Sequence, residues 1–340
     1  MKNILTIIII LSAVISANAQ DVNFSQFYEL PMLRNPALAG SYKGDFRATA
    51  AYRQQWASVT VPYTTQALGV EMKFAAGQQS DNYFSLGLQM TNDVAGDSKM
   101  GRTQLLPVIA FHKSLGAESD TYLSLGVMGG PVQSRFDPSK LTFNDQFING
   151  SYDPTNATLQ TFKNTNVTYI DGAVGLVLSS SLSENFKYYV GGSYFHFTKP
   201  KVAFNKNNNI FLPEKIMVNA GIAASFSNDN ELIIYTDYYK QGDRAQMQGG
   251  FMYKHNLVND DEDNIVSISG GGFLRWNDAV IPVVKLDYYK FGIGFTYDAN
   301  VSKLQSASHL RGGFETTLSY RNYLNIRNTS LDKTRCPGIF

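Results

Sequence analysis

Cysteine is almost missing from this chain of 340 residues. The single one is Cys336, so no intramolecular disulfide can staple the fold and stability must come from the packed chain itself. Charge is scarce too. Asp, Glu, Lys and Arg make up 17% of the sequence, against roughly 25% in ordinary soluble domains, and 29 basic residues balance 28 acidic ones to a formal charge of +1. So even a field exerts no pull on DNA or RNA, which excludes nucleic acid as a partner. Beyond the N-terminus no uninterrupted apolar run reaches about 18 residues, which excludes membrane-spanning helices. A membrane β-barrel is not excluded, because it carries its apolar residues at every second position. The four histidines, His112, His196, His255 and His309, have no i,i+2 or i,i+4 partner and no cysteine neighbours, so neither a metal nor another cofactor is expected. A Ser-His-Asp constellation of the outer-membrane lipase kind stays open, since convergence in space is invisible in sequence. No Gly-x-Ser-x-Gly elbow is present, however, and no catalytic residue is named.

What the chain does have is 22 Phe, 20 Tyr and 28 Gly, a profile unusual for a cytosolic enzyme. Its mean hydropathy is −0.19. Lys2 begins a positively charged leader, residues 4–15 form an apolar core, and Ala17-Asn18-Ala19 is a small-residue cleavage site. This pattern predicts a signal peptide over 1–19, removed before Gln20, and hence export. The residue directly after the cleavage site is Gln20 and not Cys, so lipid attachment of the lipoprotein kind is not expected.

Along the mature chain the dominant signal is period two. Leu68, Val70, Met72 and Phe74 alternate with Ala67, Gly69, Glu71 and Lys73; Phe84, Leu86, Leu88 and Met90 with Tyr83, Ser85, Gly87 and Gln89; Phe291, Ile293, Phe295 and Tyr297 with Lys290, Gly292, Gly294 and Thr296. A strand sends such sets to opposite faces, one suited to lipid or a core and one to water. Similar runs predict strands at 45–55, 64–75, 82–92, 102–113, 121–134, 167–179, 186–198, 215–227, 231–240, 244–256, 264–276, 279–287, 289–299 and 309–321. The connections alternate in length. Turns at 75–81, 114–120, 180–185 and 227–230 are compact and rich in Ser, Asn, Asp and Gly, with a longer acidic turn at 257–263 as the exception on that side, whereas 135–166 and 199–214 are the longest links. Outer-membrane barrels pair short periplasmic turns with longer external loops, which places both termini inside. A soluble β-sandwich is the competing fold, but it would have to bury one face of every strand in a core. The expectation is an all-β transmembrane antiparallel barrel over 45–321, with a plug segment over 20–44 and a periplasmic tail over 322–340.

Three local features invite chemistry. The acidic run Asp260-Asp261-Glu262-Asp263 lacks the central Gly and terminal Glu of an EF-hand and reads as a solvated turn. Gly270-Gly271-Gly272 reads as a kink in a strand, since no helix follows to make a phosphate loop. The stretch before the first strand holds Phe24, Phe27, Tyr28 and Leu30, punctuated by Pro31, Pro36 and Gly40. Burying each of those large side chains is worth about 1.5–3 kcal/mol, which predicts a compact plug in the lumen or beneath its periplasmic mouth.

The mature start Gln20-Asp21 through Phe24-Ser25-Gln26-Phe27-Tyr28 and the following Asn35-Pro36-Ala37-Leu38-Ala39-Gly40 resemble the PorP/SprF family of Bacteroidetes outer-membrane proteins. So do Tyr52-Arg53-Gln54-Gln55-Trp56, the loop pieces Phe136-Asp137-Pro138 and Tyr152-Asp153-Pro154, and the terminal Cys336-Pro337-Gly338-Ile339-Phe340. The terminal Cys-Pro-x-Phe of the family carries one extra residue here. The resemblance implies a barrel of 14 strands similar to FadL, without catalytic activity, serving type IX secretion and gliding motility. It further implies a secreted adhesin with a type IX sorting domain, other secretion components and outer-membrane lipid as partners. Asn35, Pro36, Ala37 and Gly40 match a plug motif. The candidate partner-binding loop carries Phe136, Asp137, Pro138, Tyr152, Asp153 and Pro154. A FadL-like channel for hydrophobic small molecules, gated by the plug, is the alternative.

Overall fold

Alternating small or polar and apolar side chains can satisfy both faces of a long sheet in lipid only if the sheet closes on itself and leaves no unpaired edge. The computed structural model does this. It describes residues 21–57, 61–77, 81–116, 120–183, 185–205, 207–259, 265–302 and 311–323. The leader, the acidic run at 260–263, His309 and the Cys336 tail lie outside the described residues. The strands are β1 (Phe46–Gln55), β2 (Tyr63–Ala75), β3 (Tyr83–Ala95), β4 (Met100–Ser114), β5 (Tyr122–Arg135), the two-residue β6 (Phe147–Ile148) and β7 (Ser151–Tyr152), β8 (Asn166–Ser183) and β9 (Phe186–Phe195). They continue with β10 (Lys215–Ser227), β11 (Asn230–Gln241), β12 (Arg244–Asn259), β13 (Ile265–Arg275), β14 (Ala279–Tyr288), β15 (Phe291–Asn300) and β16 (Arg311–Asn322). All but β6 and β7 form one closed antiparallel barrel of 14 strands, in which β1 pairs with both β2 and β16. β6 and β7 make a separate hairpin within the long link from β5 to β8.

Burial follows the pleat. On β2, Thr65, Ala67, Glu71 and Lys73 are buried while Leu68 and Phe74 are exposed; on β3, Tyr83, Ser85 and Gln89 face in and Phe84, Leu86, Leu88 and Met90 face out. The inward face is small, polar or charged and the outward face apolar, the arrangement of a sheet whose solvent is lipid outside. Gly270–Gly272 sit within β13 in unbroken register with β12 and β14, so the run breaks no pairing. The largest shortfall at a described strand end is in β9, which stops at Phe195 and not at residue 198 because His196 turns into the left-handed region at φ 61°. The alternation of Phe195 and Phe197 across His196 hides that turn. The barrel has a turn end, with the short links, and a loop end, with 136–165 and 196–214.

Val127 lies on the outward face of β5, 49% exposed in the absence of lipid. Val127→Arg is expected to destabilise the barrel in bilayers by about 2–4 kcal/mol if the site lies near the midplane, whereas Tyr288→Arg at the turn end should lose about 0–1 kcal/mol. Urea unfolding in phospholipid vesicles measures both.

Candidate functional site

Residues 21–44 run through the lumen from the loop end to the turn end. The backbone N–H of Asp21 donates to Gln241 Oε1 at the loop end of β11 (3.0 Å), and that of Asp45 donates to the Asn322 carbonyl at the turn end of β16 (2.9 Å). Three 3-10 turns, Phe27–Glu29, Pro31–Leu33 and Pro36–Leu38, make up its middle. Proline starts two of them, where its fixed φ fits and its missing N–H is not needed. Phe24, Phe27, Tyr28 and Leu30 are all buried. Tyr28 stacks on Tyr235 and Phe273, each at 5.3 Å, and Phe27 meets Phe273 edge-on at 5.4 Å.

The Asn35-Pro36-Ala37 piece is keyed into the wall. Asn35 Oδ1 accepts from the Ala37 N–H (2.9 Å) and caps the third turn. Asn35 Nδ2 donates to the carbonyls of Leu176 on β8 (3.2 Å) and Gly192 on β9 (3.1 Å). Gly126 on β5 and Gly175 on β8 are direct cross-strand partners. A Cβ at Gly126 would stand 2.3 Å from Ala37 N, and one at Gly175 would stand 1.8 Å from Asn35 Oδ1. The paired glycines therefore form the notch that receives the motif. Gly40, at φ 81°, turns the chain so that its N–H donates to Glu71 Oε2 (2.8 Å), the carboxylate that also pairs with Arg47.

Charges on the inner wall meet this segment at four further places. Glu315 on β16 accepts the successive backbone N–H groups of Ser25 and Gln26, both at 2.7 Å. Ser25 Oγ donates to Asp298 on β15, whose other oxygen binds Arg53 and Arg275. Glu29 pairs with Lys285 on β14. Arg34 reaches Asp237 on β11 through Nε and Nη2 and donates to the Tyr189 hydroxyl (2.8 Å), with its guanidinium 4.9 Å from the centre of the Phe27 ring.

At the loop end, Asp21 binds Arg102 (2.5 Å) and His196 Nε2 (2.8 Å), while His196 Nδ1 meets Asp171 (2.7 Å) and Lys215 lies 3.6 Å from Asp21. These residues border a cavity of about 40 Å³ with Leu33, Met128 and Phe195, room for only a few waters. Burial pushes the Asp21 carboxyl up, but Arg102, His196 and Lys215 outweigh it and hold it well below the usual range. Burial likewise pushes the His196 imidazole down, and the Asp21 and Asp171 carboxylates override it and raise it to about 9.

The candidate loop is knitted to itself. Asp137 caps residues 138–140, accepting from Ser139 N and Oγ, and those bonds hold its carboxyl below the usual range. Phe136 packs edge-on against Phe162 (5.4 Å) and against Phe204 of the next loop (4.9 Å). Asp153 accepts from Thr155 N and Oγ1, and Tyr152 closes the β6–β7 hairpin against Phe147. Phe136 and Asp137 thus lie at the root of the loop and Tyr152 and Asp153 in its hairpin. Five large apolar side chains of this loop, Phe147, Ile148, Tyr152, Leu159 and Phe162, stand exposed.

Sequence reasoning missed the charged partners: Arg34, Asp237, Asp298, Glu315 and the Asp21–His196 group. For Asp237, Asp298 and Glu315 the signal was an ionisable residue at an inward position of a strand. His112 is also enclosed, between Ser85 Oγ (3.1 Å) and Ser124 Oγ (2.7 Å) and stacked on Tyr83. Both of its ring nitrogens thus meet a hydroxyl, whereas a Ser-His-Asp triad needs a carboxylate on one of them.

Residues 16–320 match the family described as Type IX secretion system membrane protein PorP/SprF. Among curated proteins, none matches the sequence. Of solved structures, the toluene transporter TbuX of Ralstonia pickettii is similar at TM-score 0.51 and 10% identity, over 87% of this chain and 94% of that one. The Pseudomonas putida toluene transporter TodX gives TM-score 0.47 and 10% identity, over 89% and 95%. The TbuX likeness is one of fold.

Removing one partner of a buried ion pair strands the other. Arg34→Ala and Asp237→Ala are each expected to destabilise the chain by about 3–5 kcal/mol, and Arg34→Met with Asp237→Leu by markedly less, measured by urea unfolding. His196 is raised above its ordinary value of 6.5 to about 9, so its contribution is complete below about pH 6.5 and lost as pH rises through about 9. His196→Gln should flatten the fall in stability over that window.

Proposed function

The chain belongs to the PorP/SprF family of type IX secretion system membrane proteins, and from that membership and the filled lumen we propose that it is a non-enzymatic outer-membrane accessory that supports secretion or surface anchoring of a large adhesin. The observation that carries this reading is the division of labour between lumen and loops. Residues 21–44 occupy the interior and are bound to the wall at β5, β8, β9, β11, β14, β15 and β16, so the barrel serves as a rigid frame. Binding concentrates on loops held by such frames. The loop 136–165 offers exposed Phe147, Ile148, Tyr152 and Leu159 on a backbone whose own hydrogen bonds fix its shape, an apolar patch of the kind that marks a protein interaction site. Other secretion components would meet the periplasmic end, and lipid the outward face.

The alternative, a channel for hydrophobic small molecules, would need residues 21–44 to leave their buried ion pairs. The cavity at the loop end, about 40 Å³ and bordered by both charged and apolar side chains, is small for such a cargo.

Replacing Phe147, Ile148, Tyr152 and Leu159 together by Ser tests the reading in cells. The expected result is roughly a tenfold loss of surface adhesin, the scale of truncating interface anchors, with barrel abundance and uptake of hydrophobic solutes unchanged. Adhesin is counted by immunofluorescence on intact cells. Normal adhesin display with reduced uptake would overturn it in favour of the channel.

A further inference from the structure

A second cavity, of about 100 Å³, opens at the turn end, where β12, β13, β14 and β16 meet the exit of the N-terminal segment. Lys43, Lys254, Lys290 and Arg321 line it, with Asp287 as the acidic member and Ser267 at its wall. Lys254 is 3.9 Å from Glu231, Lys290 Nζ donates to Asn322 Oδ1 (2.8 Å), and Arg321 is 3.2 Å from Asp287, which Lys285 also approaches at 3.5 Å. Ser267 is fully buried, yet its hydroxyl has no hydrogen-bond partner among the described residues. A buried hydroxyl left without a partner destabilises a fold, and one set in a cationic hollow is placed to bind an oxyanion.

We propose that this hollow is a binding site for a carboxylate carried by an acidic polypeptide in the periplasm. Its position selects the source. Ser267 and Asp287 are buried on the lumen side of their strands, while Ile268, Leu286 and Tyr288 beside them are exposed on the lipid side, so the site opens to the periplasm and not to membrane headgroups. Its charge selects the group. Asp287 repels a phosphate dianion more strongly than a carboxylate, and the lysines bind as point charges with no guanidinium fork left wholly to the ligand. The carboxylate would accept from Ser267 and lie between Lys254 and Lys290. The site is distinct from the outer loops, so it stands or falls separately from the adhesin reading.

The test uses the full chain in detergent and a rhodamine-labelled peptide of alternating Gly and Glu, with a Gly and Gln peptide as control, read by fluorescence anisotropy. The wild-type chain, with Asp260, Asp261, Glu262 and Asp263 in place, is expected to bind the Glu peptide and not the Gln peptide. Lys254→Met with Lys290→Met should weaken binding about tenfold or more, as loss of charge-assisted contacts does. Ser267→Ala, which leaves the charges intact, should weaken it several-fold, and Lys201→Met at the loop end should leave it unchanged. Gel mobility before and after heating reports that each barrel is folded. No binding by wild type, equal binding of the two peptides, equal binding by wild type and Ser267→Ala, or displacement by inorganic phosphate at lower concentration than by acetate would each overturn the proposal.

Discussion

A buried charge must have a partner, and in this barrel the partners are divided between the wall and residues 21–44. Asp237 faces Arg34, Glu315 faces two backbone N–H groups of Ser25 and Gln26, and Lys285 faces Glu29. Such pairs are weak sources of net stability, because both charges lose their water. Their strength is in what they forbid. With residues 21–44 displaced, Asp237 loses its guanidinium and Glu315 its N–H donors, so the segment has one register in which wall and core are both satisfied. The aromatic contacts of Phe27 and Tyr28 supply area; the ion pairs supply position.

That constraint explains the wall's composition. Glycines at facing positions on β5 and β8 leave the notch for Asn35 and Pro36, and the polar inward set of β15 and β16 supplies the acceptors for Ser25 and Gln26. The outward set has no such duties and is mainly apolar. A sheet with these two faces leaves recognition to its ends, where backbone and side chains leave the ladder: the loops at 136–165 and 196–214 on one side and the cationic hollow around Ser267 on the other.

Much of the architecture was legible because side-chain period is a local property. Leu68 to Phe74 or Phe291 to Tyr297 identify a strand and its two faces without reference to anything distant, and the same reading located every barrel strand. It failed at His196, where φ changes sign between two phenylalanines that keep the alternation going. The Asn35-Pro36-Ala37 turn was legible from proline and its cap. Its receptor was not, since Gly126 and Gly175 become neighbours only when β5 pairs with β8 across the long loop. The charged partners were hidden for the same reason: Ser25 and Glu315 are 290 positions apart, and period two says that Glu315 points inward but not what it meets there. In the candidate loop, sequence marked the segment, while the exposed Phe147, Ile148 and Leu159 emerged only with the hairpin.

The bond between Ser25 and Glu315 also sets an order of events. The segment that fills the lumen precedes every barrel strand in the chain, and the strand that holds its leading end is the last. Closing so long a loop before other contacts exist is entropically unfavourable, and contacts of this separation belong to slow folding steps. Until β16 closes the barrel, then, Phe24, Phe27 and Tyr28 of the N-terminal segment have no finished wall to receive them.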